Sequence, residues 1–144
     1  MLVPYKAYQA SDGYMVIAAG NDSLFRRLVD VLGHPEWAID IRFKTNPDRV
    51  EHREAINQLI DEVLATNTRA HWTALLEHAG VPCGPLQTTD EVVAHPQTEA
   101  VEMLQTTPDG KMRFAGVPIR FDGERPKIRK GPPALGEHTG EVLR

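Results

Sequence analysis

One cysteine, Cys83, stands among the 144 residues. An internal disulfide framework is therefore excluded, as is any zinc or iron–sulfur site built on a cysteine cluster. Long apolar runs are also missing. The longest, around Met15–Ala19, falls far short of the roughly 18 residues that a membrane span needs. The start, Met1-Leu2-Val3-Pro4-Tyr5-Lys6, has no basic segment followed by an apolar one, so no signal peptide is visible. Charge of one sign is not in large excess: 16 Lys and Arg stand against 20 Asp and Glu, a formal net charge of −4. That balance makes nucleic acid a poor partner. With 41% hydrophobic and 25% charged residues, disorder is excluded as a class, and one ordinary globular domain is expected. A soluble, cytoplasmic domain with no membrane contact fits these absences.

What is present begins with a β-hairpin. Tyr5–Ala10 alternates, Ser11-Asp12-Gly13 supplies a turn, and Tyr14–Ala19 follows as a nearly continuous apolar strand, the pattern of a strand covered on both faces. Asn21 or Asp22 can then cap a helix whose Leu24, Phe25, Leu28, Val31 and Leu32 fall at helical spacing, with Gly33 and Pro35 ending it. Trp37, Ile39 and Phe43 anchor an ordered loop. A long helix is predicted near Asp48–Thr66, with Asn46 as N-cap, Pro47 at the first helical position and a core stripe of Ile56, Leu59, Ile60, Val63 and Leu64. Thr68 caps a third helix, with Trp72, Leu75, Leu76 and Ala79 facing the core and Gly80 closing it.

Val81–Leu86 carries two prolines, which remove ladder donors, so it reads as an extended edge or ordered loop. Thr88-Thr89-Asp90-Glu91 has capping-box spacing for a short helix stopped by Pro96, and a further helical turn covers Gln97–Ala100. Val101–Gln105 and Lys111–Phe114, joined through Pro108-Asp109-Gly110, form a second hairpin. From Gly116 onward the character changes. Pro118, Pro126, Pro132 and Pro133 punctuate a basic stretch with Arg120, Arg125, Lys127, Arg129 and Lys130. Apolar periodicity is too thin there for a core, so an arm lying on something else is expected. The fold class is α+β: a small, mainly antiparallel sheet of two hairpins, about three main helices and an extended C-terminal arm.

Chemistry is sparse. His71 and His78 share a helix face but stand about 10 Å apart along the axis, too far for one ion. His34, His52, His95 and His138 have no partner at ligand spacing, so all six read as surface histidines. Cys83 needs a lowered pKa and an oriented base to act as a nucleophile. His78 and His95 are near in sequence, but nothing orients them, and a small buried hydrophobe is the preferred role. Gly20-Asn21-Asp22 lies at a strand-to-helix junction where an anion could bind, yet neither phosphate-loop glycine pattern is present. The basic residues of 120–130 are either solvated or contact an anionic ligand such as a phosphorylated cofactor. From these patterns no residue is assigned as catalytic or as a metal ligand, and cofactor-binding positions stay open.

Five segments, in order, carry a resemblance. These are Pro4-Tyr5-Lys6-Ala7-Tyr8 running on to Asp12-Gly13-Tyr14, Asn21-Asp22 with Leu32-Gly33-His34-Pro35-Glu36-Trp37, and Arg42-Phe43-Lys44-Thr45-Asn46-Pro47-Asp48-Arg49-Val50. Ala79-Gly80-Val81-Pro82-Cys83-Gly84-Pro85 and Pro132-Pro133-Ala134-Leu135-Gly136-Glu137-His138-Thr139 complete the set. Together they resemble the C-terminal part of the family III CoA-transferases, a group that includes formyl-CoA transferase and the α-methylacyl-CoA racemases. The resemblance implies a parent enzyme that moves CoA between carboxylic acids. Its substrates would be an acyl-CoA thioester and a free acid. It also implies that the nucleophilic aspartate, most CoA-binding positions and a glycine-rich flap just before Leu2 lie outside these residues, so no catalytic residue is carried over. On this basis residues 1–115 are expected to be the small domain and 116–144 an arm returning to a large nucleotide-fold domain. The chain would be a cut piece or a shortened reading frame, inactive alone, and the full-length subunits interlocked as a homodimer. A fragment of a racemase and a non-catalytic binding module are the alternatives.

Overall fold

Tyr5–Ala10 (β1) and Gly13–Ala18 (β2) pair antiparallel, with Tyr8 opposite Met15 and Tyr5 opposite Ala18, in the computed structural model, which describes residues 1–144. Gly13 turns the hairpin at φ 144°, and a β-carbon there would fall 3.1 Å from Arg69 Nε. Glycine therefore serves both the backbone angle and the close approach. The turn is held from the helical side: Ser11 N donates to Asn67 O at 3.0 Å and Arg69 N to Asp12 Oδ1 at 2.7 Å. Cys83–Pro85 (β3) adds to the far side of β2, giving the order β1-β2-β3. The edge position lets Pro85 sit in a sheet at all.

The helices are Asp22–Val31 (α1), Asn46–Glu51 (α2), Arg53–Leu64 (α3) and Arg69–His78 (α4), with a 3₁₀ turn at Pro35–Ala38. Tyr8, Ala10, Met15 and Ile17 from the sheet join Phe25, Leu28, Val29, Ile56, Ile60, Leu64, Trp72 and Leu76 in one buried cluster. Burial of this apolar surface is the main stabilising term for the unit. Trp72 Nε1 finds Leu64 O at 2.9 Å, so its one polar atom is satisfied inside.

Several expectations need correction, among them Ile39, which is exposed and does not anchor its loop. β2 is covered on one face only: Met15 and Ile17 are buried while Tyr14 is 54% exposed. Its apolar run is continuous because Val16 and Ala18 are half-buried on the outer face, beside Ala7 and Gly84. The long helix is interrupted at His52 (φ −102°, ψ 27°), although Ile56 N still bonds His52 O at 3.2 Å. The result is a bend between α2 and α3. Thr45, not Asn46, is the N-cap, in a capping box with Asp48. Asn46 is occupied elsewhere: its Oδ1 accepts from Val3 N at 3.0 Å and its Nδ2 donates to Met1 O. Leu75 is 42% exposed, so the α4 stripe is narrower than the pattern predicts.

Contacts divide the chain into Met1–Leu86 and Gln87–Arg144. The second unit contains Thr89–Ala94 (α5), Pro96–Ala100 (α6), the hairpin Leu104–Thr106 (β4) with Arg113–Ala115 (β5), and Thr139–Val142 (α7). Thr88 and Glu91 form the capping box read from the sequence. The hairpin is shorter and displaced relative to expectation. Glu102, at φ 52°, delays the start of β4, and Thr107 Oγ1 on Asp109 Oδ1 at 2.5 Å holds the turn. Residues 126–128 run beside β4, because the Gln105 side chain donates to Pro126 O at 3.0 Å and accepts from Ile128 N at 2.9 Å. No apolar side chain of residues 87–144 is buried; Thr107 and Gly116 alone are. The architecture is α+β with two small antiparallel sheets.

Candidate functional site

The strand-to-helix junction at Gly20-Asn21-Asp22 is filled by the chain itself. Asn21 Oδ1 accepts from Leu24 N at 2.8 Å, and the Asp22 carboxylate pairs with Arg49 at 2.9 Å. A β-carbon at Gly20 would fall 2.6 Å from Leu2 Cβ. The helix end is thus satisfied by its own polar groups, and the glycine makes room for Leu2.

Arg49 organises this region, and sequence patterning did not single it out. Its side chain has no exposed surface. Nε donates to Val3 O at 2.8 Å, Nη1 to Phe43 O at 2.9 Å, and Nη2 to Gly20 O at 3.2 Å and Asp22 Oδ1 at 2.9 Å. Its guanidinium lies 4.3 Å from the Phe25 ring centroid. One fork of donors joins four chain segments, a task suited to the planar guanidinium. A signal was available: Arg49 falls seven residues before Ile56, on the apolar stripe, where a charge must find partners.

Cys83 lies on β3 opposite Ile17 and packs on the core. Burial pushes its thiol pKa up, and the Glu77 carboxylate pushes it further the same way. Both causes oppose the thiolate that a nucleophile requires. The histidines are dispersed. His34 Nδ1 meets Glu36 at 2.8 Å while its ring stacks on Trp37, and this hydrogen bond holds the Glu36 carboxyl below its usual range. His52 Nδ1 lies 3.0 Å from Asp48 O, His71 stands edge-on to Trp72, and His138 is 3.6 Å from Glu141. No three His, Cys, Asp or Glu side chains come together as a metal site.

The basic stretch behaves differently. Arg120 donates to Gly123 O and Val101 O, and Arg125 to Val117 O and Val101 O. Those bonds tie the stretch to Val101, beyond the end of α6, and with the Gln105 contacts to Pro126 and Ile128 they frame a cleft of about 660 Å³. Its walls come from the end of α5 through α6 (Val93, His95, Thr98, Glu99), from the hairpin (Leu104, Gln105, Arg113) and from Arg125, Lys127 and Ile128. His95 Nδ1 accepts from Gln97 N at 3.1 Å. Arg125 Nε is buried without a hydrogen-bond partner. The size lies in the range of small-molecule sites. What the cleft offers chemically is a mixed surface: apolar side chains, unpaired cations and two carboxylates.

Comparison with known proteins defines the class. The sequence model of CoA-transferase family III matches residues 1–139, and this chain belongs to that family. It is 39% identical over 99% of its length to the acetyl-CoA:oxalate CoA-transferase of Acetobacter aceti, and 37% identical over 99% to an acyl-CoA transferase of Fusarium pseudograminearum. Those matches cover 36% and 32% of the two relatives, so the chain spans about a third of their length. Among solved structures, a CaiB/BaiF family protein from Brucella suis superposes with a TM-score of 0.86 and 38% identity. That match covers 99% of this chain and 37% of the other. The five ordered segments read from the sequence therefore carry a real family relationship.

Proposed function

We propose that this chain is the small-domain part of a family III CoA-transferase, acting in a longer polypeptide that moves CoA between carboxylic acids. The match over residues 1–139 carries the reading. Both relatives described above are named as transferases, which favours transfer over racemisation. In the complete enzyme an aspartate outside residues 1–144 attacks the acyl-CoA carbonyl and releases CoA. CoA then attacks the aspartyl carbonyl of the resulting mixed anhydride and expels the donor acid, leaving CoA on the aspartate as a thioester. The acceptor carboxylate displaces CoA to form a second anhydride, and CoA cleaves this to give the new acyl-CoA and the free aspartate. Within this reading residues 1–115 form the small domain and 116–144 an arm that lies on the large domain. The absence of any buried apolar side chain in residues 116–144 supports an outside partner for that arm. The working form is a cytoplasmic homodimer of interlocked subunits, and the unpaired Cys83 is compatible with a reducing compartment.

The test compares two purified proteins, the 144-residue chain and the longer polypeptide encoded by the same reading frame extended upstream. CoA exchange from acetyl-CoA and succinyl-CoA to oxalate, formate and glutarate is followed by chromatography. Turnover by the longer protein, lost when its candidate aspartate becomes alanine, and none by the short chain, is the expected result. Turnover by the 144-residue chain alone would overturn the assignment of the nucleophile. No upstream coding sequence would favour a non-catalytic module.

A further inference from the structure

We propose that His95 makes the corner between α5 and α6 a pH-sensitive joint, capped while its imidazole is neutral and released when the ring is protonated. His95 is at once the C-cap of α5 and the N-cap of α6. Its carbonyl accepts from Thr98 N at 2.9 Å and from Glu99 N at 3.4 Å. Pro96, at the start of α6, has no N–H to satisfy. That leaves Gln97 N, whose acceptor is His95 Nδ1 at 3.1 Å. A backbone N–H only donates, so Nδ1 must offer a lone pair. An imidazolium carries a proton on both ring nitrogens and has no lone pair to offer. Capping and protonation therefore exclude each other.

The joint has little else to hold it. α6 is five residues long, and neither it nor α5 has a buried residue. A helix this short depends on its end bonds and on contacts outside itself. One such contact, Thr98 Oγ1 to Val92 O at 2.6 Å, ties α6 back to α5. The far end of α6 leads to Val101, whose carbonyl accepts from Arg120 Nη2 at 3.2 Å and from Arg125 Nη2 at 3.0 Å. The joint thus bears on one wall of the cleft and on the anchorage of the basic stretch. The charges that share the cleft with His95 are Glu99 on α6, Glu102 just past it, Arg113 from β5, and Arg125 and Lys127 from the basic stretch. Asp90 and Glu91 stand in the first turn of α5. The carboxylates favour the imidazolium and the cations oppose it. Their balance sets where on the pH scale the change falls; the exclusion itself does not depend on it. Histidine is the side chain whose charge ordinarily changes between about pH 5 and 8. The joint is firm on the alkaline side of that change and loosens as pH falls through it. The inference is independent of the CoA-transfer reading, because it is measured on the 144-residue chain without turnover.

The experiment titrates the ¹⁵N,¹³C-labelled chain from about pH 8 to about pH 5 and follows the His95 ring, the Gln97 amide and the Cα shifts of Gln97–Ala100. Helical shifts are expected at the alkaline end. As pH falls they should move toward coil values with the midpoint of the His95 ring, the helix-to-coil ratio dropping about fivefold, the usual weight of one cap. His95→Asn caps without titrating, and His95→Asp is largely ionised above about pH 5; both should hold the helical shifts across the range. A Gln97–Ala100 profile that departs from the His95 midpoint, the same pH profile in His95→Asn, or coil shifts already at the alkaline end would each overturn the proposal.

Discussion

Asp22, in the first turn of α1, reaches back to within 2.9 Å of the Arg49 guanidinium, a side chain with no surface of its own. The carboxylate is 44% exposed, so half of the pair keeps its hydration while the other half is enclosed. Three backbone carbonyls complete the guanidinium. The arrangement meets the desolvation of a buried cation with charge and hydrogen bonds together, and its removal has a large, definable cost.

Arg49→Met should therefore destabilise the chain by about 3–5 kcal/mol, because three backbone carbonyls lose their buried donor and the half-exposed Asp22 its partner. Arg49→Lys should recover little, since one ammonium cannot reach the separated carbonyls of Val3, Phe43 and Gly20. Urea unfolding followed by tryptophan fluorescence, through the buried Trp37 and Trp72, measures both. Equal midpoints for the parent and Arg49→Met would refute the role assigned to this side chain.

Tyr8 should make stability fall at alkaline pH. Burial raises its phenol pKa above the ordinary value, and the Asp61 carboxylate raises it further. Its hydroxyl donates to Asn57 Oδ1 at 2.5 Å. The folded protein thus retains a proton that the unfolded chain releases above about pH 10. The stabilising contribution is complete below that pH and declines as pH rises through and beyond it. Urea midpoints of the parent and of Tyr8→Phe, compared from pH 8 to 11, should converge toward the alkaline end. A constant difference across the range would be inconsistent with this linkage.

Cys83 should label slowly. With its thiol pKa pushed up by burial and by Glu77, the thiolate fraction at pH 8 is below that of an ordinary thiol. Reaction with an aromatic disulfide reagent should trail glutathione under the same conditions, and Glu77→Gln should quicken it. Cys83→Ala should cost about 1 kcal/mol, the usual scale for a small packed side chain. Complete labelling of native protein within seconds would contradict the environment described for this residue.

Limited trypsin digestion should cut first among Arg120, Lys127, Arg129 and Lys130. These lie in a unit without a buried apolar side chain, held chiefly by hydrogen bonds to backbone carbonyls. The bond after Arg125 precedes Pro126 and should resist. Arg49 is buried, and Arg53 opens a helix tied to the core through Ile56. Cleavage near Arg49–Arg53 ahead of the 120–130 stretch would reverse the stability order inferred for the two units.

The local code of this chain is largely legible in one dimension. The β1–β2 hairpin, the Asn21 and Thr68 caps and the Thr88–Glu91 box follow from nearest-neighbour chemistry that needs no distant partner. The family relationship too rested on short ordered segments. The Thr45 cap shows where that code stops. Asn46 has equal chemical standing as a cap, but Met1 and Val3, more than forty residues away, engage its side chain. The cleft beside β4 was represented only as a run of basic residues whose contacts stayed open.

Sequence alone determined the α+β class, the element order and the family, because hydrophobic period, capping and turn preferences act over a few residues. Tertiary structure alone decided which face of β2 is covered, the bend at His52, the enclosure of Arg49 and the convergence of Arg113, Arg125 and Lys127 on one cleft. Each of these depends on groups far apart in the chain competing for the same space, hydrogen bonds and water, and no local pattern encodes the outcome of that competition.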